Sequence, residues 1–145
     1  MNHAIQFEAK TLVPGSGAGN ALVLAEPLSL WGGLNPETGE IIDKRHPQAG
    51  EIVTNRILVL PSGRGSSSAS SILLEAVKQG TAPAAIITSE IDGILALGAA
   101  VARELYDQSP PVLVLVSDDY VKIQTGQHLT VHEDGTIIIQ ANAAS

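Results

Sequence analysis

Residues 58–71 read Leu58-Val-Leu-Pro-Ser-Gly-Arg-Gly-Ser-Ser-Ser-Ala-Ser-Ser71. The segment starts with an apolar run that Pro61 closes, which is typical of a buried strand. After a glycine-rich loop, apolar residues recur at helical spacing as far as Gly80, a residue that favours helix termination. The segment therefore predicts a strand, a loop and a helix over about 68–79.

The same order continues towards the C-terminus. Further apolar runs lie at 84–88 and 112–116, and between them Asp92 predicts the N-cap of a second helix that ends at Tyr106. Strands that alternate with helices predict parallel pairing through right-handed crossovers. The other predicted elements are strands at 4–10 and 21–24, a flexible connection at 14–20 between them, and a hairpin around Glu133-Asp-Gly135.

Length and composition agree with one compact domain. The chain has 145 residues, of which 44% are hydrophobic and only 3% aromatic. Such a chain can bury an aliphatic core of ordinary domain size. We predict a single α/β domain over residues 1–145, in which one sheet packs on another and the helices lie outside.

Charge and cysteine content exclude several classes of function. The net charge is −7 with eight basic residues, so neither a nucleic-acid groove nor an anionic membrane surface is expected as a partner. The N-terminal residues lack a signal-peptide pattern, and no apolar run reaches the ~20 residues needed to span a bilayer. The absence of cysteine removes disulfides, zinc–thiolate sites and ligands for an iron–sulfur cluster. We expect a cytoplasmic protein that binds no metal itself.

The strand–loop–helix junction is the candidate ligand site. Gly63 and Gly65 allow close approach of the backbone to a ligand, and the following helix start offers free N–H groups and a positive dipole end. Arg64 adds a two-pronged contact to a carboxylate or a phosphate. The loop matches neither a Walker A motif, nor a Rossmann glycine pattern, nor a nucleophile elbow.

The serine cluster allows two interpretations. Serine is a preferred N-cap, so one or two of these residues are expected to cap the helix. Five serines within 66–71 exceed what capping needs, and small hydroxyl residues suit a site that admits a ligand. Spacing alone leaves the cap and the site as open alternatives.

Two blocks carry a resemblance to a known family. The first reads Trp31-Gly-Gly-Leu-Asn-Pro-Glu-Thr-Gly-Glu-Ile-Ile-Asp-Lys-Arg-His-Pro47, and the second reads Val59-Leu-Pro-Ser-Gly-Arg-Gly-Ser-Ser67. Together they resemble the small subunit of the aconitase X family, and the similarity continues through 81–87 and 94–98.

The resemblance implies a swivelling β/β/α three-layer domain, equivalent to the mobile domain of aconitase. It implies a large aconitase X subunit as partner, which would hold an iron or iron–sulfur centre, and inactivity of this chain without that subunit. The implied reaction is dehydration of a small carboxylated substrate by a hydro-lyase. We expect cis-3-hydroxy-L-proline as the substrate, with phosphomevalonate as the alternative. A non-catalytic carboxylate-binding module is the competing class of function.

The resemblance also implies roles for individual residues. Ser66 falls on the position of the catalytic base in the aconitase-type loop. The loop departs from aconitase at Ser68, two residues after Ser66. In aconitase this position is an arginine that binds the substrate carboxylate. The implied substrate-binding residues are Gly63, Arg64, Gly65, Ser67 and Ser68.

Five other residues are candidates for a functional role. For Asp43 and His46 the resemblance favours the mouth of the active site or a subunit contact. Trp31 beside two glycines suits either a packed corner or an interface, and we expect packing. His128 and His132 lie in an alternating pattern that predicts exposed strand residues rather than metal ligands.

Overall fold

The computed structural model describes residues 4–64 and 68–140. The strands in these ranges are β1 (Ala4–Glu8), β2 (Lys10–Val13), β3 (Gly17–Val23), β4 (Leu34–Asn35), β5 (Glu40–Ile41), β6 (Ile57–Leu60), β7 (Ala85–Thr88), β8 (Val112–Val114), β9 (His128–Val131) and β10 (Thr136–Gln140). The helical segments are α1 (Leu30–Gly33), which is a single irregular turn, α2 (Ser68–Gln79), α3 (Gly93–Tyr106) and α4 (Ser117–Tyr120).

Eight strands form one hydrogen-bonded sheet in the order β1-β10-β9-β3-β6-β7-β8-β2, and β4 pairs with β5 in a separate hairpin. The run β3-β6-β7-β8 is parallel, and the remaining pairs are antiparallel. The predicted strand–helix–strand block therefore forms the parallel part of the sheet.

The sheet folds over on itself into two layers. The strands β1 and β2 lie at opposite ends of the sheet order, although Ala9 alone separates them along the chain. Strand β3 belongs to both layers, because residues 17–20 pair with β9 and residues 21–23 pair with β6. With α2 and α3 as the third layer, the predicted β/β/α architecture is confirmed.

The alternation of side chains along the strands builds two cores. Leu58 and Leu60 of β6 face the helices, where they pack with buried residues such as Leu73 of α2. Ile57 and Val59 face the antiparallel layer and join the cluster between the two sheets. All four are essentially inaccessible to solvent, and burial of each such side chain contributes about 1.5–3 kcal/mol.

The predicted flexible connection at 14–20 is wrong in its second half, because β3 already begins at Gly17. A side chain at Gly17 would collide with the carbonyl of Ala84, and one at Gly19 would lie 2.5 Å from the carbonyl of Asn55. The glycines therefore allow a strand to pass very close to two neighbouring backbones, rather than marking a loop.

Other predicted boundaries are confirmed. Helix α2 spans the predicted residues and is followed by Gly80 with φ of 78°. Asp92 caps α3, and the C-terminal hairpin turns at the predicted Gly135. Within residues 4–64 and 68–140, no helix combines the length and the apolar character needed to cross a membrane.

Candidate functional site

The carboxyl ends of the four parallel strands lie along one edge of the sheet. The chain leaves this edge through residues 24–29 after β3, 61–64 after β6, 89–92 after β7 and 115–116 after β8. We call it the carboxyl edge. In open sheets of parallel strands, ligands bind in crevices at this edge.

The loop 61–64 is held by segments that are distant in sequence. The Gly63 N–H donates to Oδ2 of Asp92 at 2.6 Å, and the Arg64 N–H donates to the carbonyl of Leu28 at 3.1 Å. The Pro61 carbonyl accepts from the N–H groups of Ser89 and Glu90, both at 3.3 Å. Three loops of the carboxyl edge are thereby joined through backbone groups.

A polar cleft of about 300 Å³ opens beside this loop. Its lining combines two cationic and two anionic side chains, and its residues are Glu26, Pro27, Ser29, Asp43, Arg45, His46 and Arg64. Arg45 lies 3.7 Å from the Asp43 carboxylate in an exposed pair, which contributes little to stability. Within residues 4–64 and 68–140, no carboxylate forms an ion pair with the exposed Arg64, so its guanidinium remains available to an anion.

His46 is the buried member of the cleft, with 7% of its surface exposed. Its Nδ1 accepts from the Gln48 N–H at 3.0 Å, so Nε2 carries the proton and donates to the Glu26 carbonyl at 3.1 Å. The Gln48 side chain in turn accepts from the Ala25 N–H at 2.9 Å. The ring therefore ties together the two loops that line the cleft, and both of its nitrogens are engaged.

The structure brings together four of the residues predicted from sequence. Gly63 and Arg64 lie at the carboxyl edge, and Asp43 and His46 share the cleft with Arg64. Ser68 begins α2 and is not part of the cleft lining. Gly65, Ser66 and Ser67 lie outside the described residues, so their predicted roles stay predictions.

Sequence reasoning identified Asp92 only as a helix cap. Its second partner, the Gly63 N–H, lies 29 residues away, and no local pattern reveals such a pair. The roles of Leu28 and Glu26 were likewise missed, because both act through backbone carbonyls that any residue carries.

The expected packing of Trp31 is wrong, because 61% of its surface is exposed. Its neighbours Leu30 and Gly33 take the buried side of the turn, and Gly32 adopts a left-handed φ of 78°. The Ser29 hydroxyl, which belongs to the cleft lining, donates to the Trp31 carbonyl at 3.1 Å. An exposed tryptophan therefore lies beside the cleft, as the interface alternative requires.

His128 and His132 are exposed, as predicted. Among residues 4–64 and 68–140, no three histidine, aspartate or glutamate side chains converge as metal ligands do. The described part of the chain therefore does not fit a metal centre of its own.

These features define a class of protein: a three-layer β/β/α domain with a polar cleft beside a glycine-containing loop at the carboxyl edge of its parallel strands. The chain belongs to the aconitase X swivel domain family, whose model matches residues 6–139.

Relatives and a solved structure agree with this assignment. The chain is 48% identical over 115 residues to the cis-3-hydroxy-L-proline dehydratase of Pseudomonas aeruginosa, covering 79% of this chain and 20% of that protein. It is 39% identical over 121 residues to the phosphomevalonate dehydratase small subunit of Methanothermobacter thermautotrophicus, covering 83% of this chain and 92% of that subunit. The crystal structure of Thermococcus kodakaraensis aconitase X in its holo-form superposes with a TM-score of 0.83 at 32% identity, covering 93% of this chain and 98% of that one.

The two kinds of relative differ in length. The chain spans about a fifth of the hydroxyproline dehydratase, but nearly the whole of the phosphomevalonate dehydratase small subunit. The same fold therefore occurs as part of a long polypeptide and as a separate small subunit.

Proposed function

We propose that this chain is the small subunit of a hydro-lyase, and that it acts on a small hydroxy acid together with a large aconitase X subunit. The observation that carries the proposal is the cleft at the carboxyl edge. There an Arg64 side chain without an ion-pair partner in the described residues faces the same space as Asp43 and His46. The names of the relatives supply the class of reaction, since both kinds are dehydratases.

Dehydration requires loss of a proton next to a carboxylate and departure of a hydroxyl. We assign carboxylate binding to Arg64, whose guanidinium offers two parallel N–H donors to a carboxylate. We assign proton removal to Ser66, which precedes helix α2 by two residues. The positive dipole end of α2 and the nearby Arg64 charge would stabilise the alkoxide that such a base requires.

Residues 4–64 and 68–140 do not fit an iron centre. The sequence contains no cysteine, and the described residues gather no set of metal ligands. We therefore assign the metal to the large subunit. His46 is equally not assigned as a base, because its two ring nitrogens are bound to backbone groups.

For the substrate, we propose cis-3-hydroxy-L-proline. It carries one carboxylate and no phosphate, which matches one unpaired cation in the cleft, and the dehydratase named for it shares 48% identity with this chain. Phosphomevalonate is the second candidate, since the small subunits named for it have nearly the extent of this chain. Arg45 is the additional cation that a phosphate would need, because only a loose, exposed pair holds it to Asp43.

The large subunit is proposed to dock on the carboxyl edge. Three large apolar side chains at or beside the segments that leave this edge are strongly exposed. Ile91 at 63% and Val116 at 68% lie within these segments, and Trp31 at 61% lies in α1, directly after the segment 24–29. Apolar groups that surround a polar site become buried when a partner closes over the site. Exposed tryptophan is also enriched among the residues that dominate binding energy at interfaces.

Turnover by the reconstituted pair tests the chemistry. With the large subunit present, Ser66→Ala is expected to lower kcat for cis-3-hydroxy-L-proline at least about 100-fold, because general-base catalysis typically contributes that much. Ser71→Ala, a neighbouring hydroxyl on α2, is the matched control and should retain turnover. Unchanged turnover in Ser66→Ala would remove Ser66 from the reaction, and faster turnover of phosphomevalonate would reverse the order of the two substrates.

Binding to the large subunit tests the docking face separately. Trp31→Ala is expected to raise the Kd of the pair about 30-fold or more, the equivalent of about 2 kcal/mol. Leu105→Ala is the matched control, because Leu105 is 62% exposed but lies at the end of α3. Equal effects of the two substitutions in calorimetry would place the interface elsewhere.

A further inference from the structure

The carboxylate of Asp92 serves two distant segments with its two oxygens. Oδ1 accepts from the N–H groups of Ile94 and Leu95, both at 3.0 Å, and caps helix α3. Oδ2 accepts from the Gly63 N–H at 2.6 Å. A cap needs only the first oxygen, so the second contact is additional to helix formation.

The second contact fixes the backbone just before Arg64. The Arg64 N–H is itself bound to the Leu28 carbonyl, so the two successive amides of the loop are held by two different segments. The approach is tight, because a Cβ at Gly63 would lie 2.9 Å from Oδ2 of Asp92. A hydrogen bond to an ionised acceptor is about twice as strong as a neutral one, so this bond suits a positioning role.

We propose that Asp92 is a positioning residue, which sets the Arg64 side chain in the cleft and thereby controls substrate affinity. This inference rests on the proposed function, in which Arg64 binds the substrate carboxylate. A purely structural role would predict the opposite pattern: loss of α3 stability without a specific effect on KM.

Asp92→Ser separates the two roles, because serine is as good an N-cap as aspartate but offers no second oxygen to Gly63. In the reconstituted enzyme we expect KM for cis-3-hydroxy-L-proline to rise about 10-fold, with a smaller change in kcat. Circular dichroism should show that the helical content is retained. Asp134→Ser is the matched control, since Asp134 makes the same kind of side-chain bond to the Thr136 N–H in a distant turn, and KM should not change.

Amide exchange supplies a readout that needs neither partner nor turnover. In the chain alone, Asp92→Ser should speed hydrogen exchange at Gly63 at least about 10-fold, while Ile94 and Leu95 stay protected. Equal loss of protection at all three amides would mean that the cap has failed, and would count against a separate role for Oδ2.

A double-mutant cycle decides whether Asp92 acts through Arg64. Arg64→Ala alone should raise KM, and adding Asp92→Ser should then raise it no further. Additive effects would overturn the inference. If Arg64→Ala leaves KM unchanged, the proposed function of Arg64 fails instead, so the two failures are distinguishable.

Discussion

The loop 61–64 and the hairpin turn 132–135 are both held by an aspartate, yet they are built differently. In the hairpin the bonds that close the turn are local: Asp134 accepts from the Thr136 N–H at 2.9 Å, and the Gly135 N–H donates to the His132 carbonyl at 3.0 Å, while the Gly135 carbonyl makes one distant contact by accepting from the Ala9 N–H. In the loop the partners come from the segments after β3 and β7. The hairpin turn is thus completed by neighbouring residues, whereas the loop at the candidate site exists only once the sheet has assembled.

Substitution of two histidines, one beside the candidate site and one in the hairpin, should show the largest difference in the free energy of unfolding. His46→Ala removes a buried ring and leaves the Gln48 N–H and the Glu26 carbonyl, whose bonds to it are partly buried, without their partners. Because an unsatisfied buried group costs about 1–3 kcal/mol and these two groups are only partly buried, the free energy of unfolding should fall by about 1–3 kcal/mol. His132→Ala, at an exposed position of the hairpin, should change it by less than about 0.5 kcal/mol. Urea denaturation measures both, and equal losses would show that the two regions do not differ in this way.

Substitutions at two glycines distinguish an effect on stability from an effect on KM. Gly63→Ala should lower stability by about 1–3 kcal/mol, because its Cβ would press on the Asp92 carboxylate, and it should also raise KM. Gly135→Ala should cost a similar amount, since Gly135 has φ of 93° and its Cβ would lie 2.8 Å from the Thr11 hydroxyl. KM should nevertheless be unaffected in Gly135→Ala. A raised KM in that variant would mean that general loss of stability explains both effects.

At high pH the carboxyl-edge region should weaken first. Desolvation raises the pKa of Tyr120 in α4, the helix that follows β8, to about 12. The folded state retains the proton of the Tyr120 hydroxyl more firmly than the unfolded chain does. The resulting contribution to the free energy of unfolding is therefore present below about pH 10 and is lost as the pH rises to 12. The tyrosine is partly accessible, so the loss should be about 1 kcal/mol after screening. Tyr120→Phe should flatten the stability curve over this range, and an unchanged slope would contradict the assignment.

At low pH the hairpin should lose stability, and this loss should be the smallest of the four expected effects. The hydrogen bond from the Thr136 N–H lowers the pKa of Asp134. A lowered folded-state pKa gives stability that is present above about pH 4 and is lost as the pH falls below it. Asp134→Asn should therefore reduce the acid dependence of thermal unfolding. A variant with the same acid profile as the natural chain would show that this bond does not matter for stability.

These contrasts explain what could be predicted from the sequence. Helix α2, the capped start of α3 and the hairpin were predicted closely, because Gly80, Asp92 and Gly135 act on residues near them in the chain. The family blocks gave the layered fold and the candidate loop.

The rest depends on tertiary contacts that leave no local pattern. The strand at 17–20 was missed because its glycines are required by neighbouring backbones and not by a turn. Trp31 was misplaced because a tryptophan beside glycines fits a packed corner and an exposed rim equally well. The cleft joins residues from three separate segments, and only the folded sheet brings Arg64 next to His46.

The single residue between β1 and β2 also constrains how the protein is made. Ala9 links strands on opposite margins of the sheet, and β1 pairs along its whole length with β10, so that Ala4 lies opposite Gln140. Because β1 is synthesised before β10, its layer cannot close until β10 has also been made. Since such distant pairings are slow to form, we expect that the nascent chain stays open at this margin until β10 has left the ribosome.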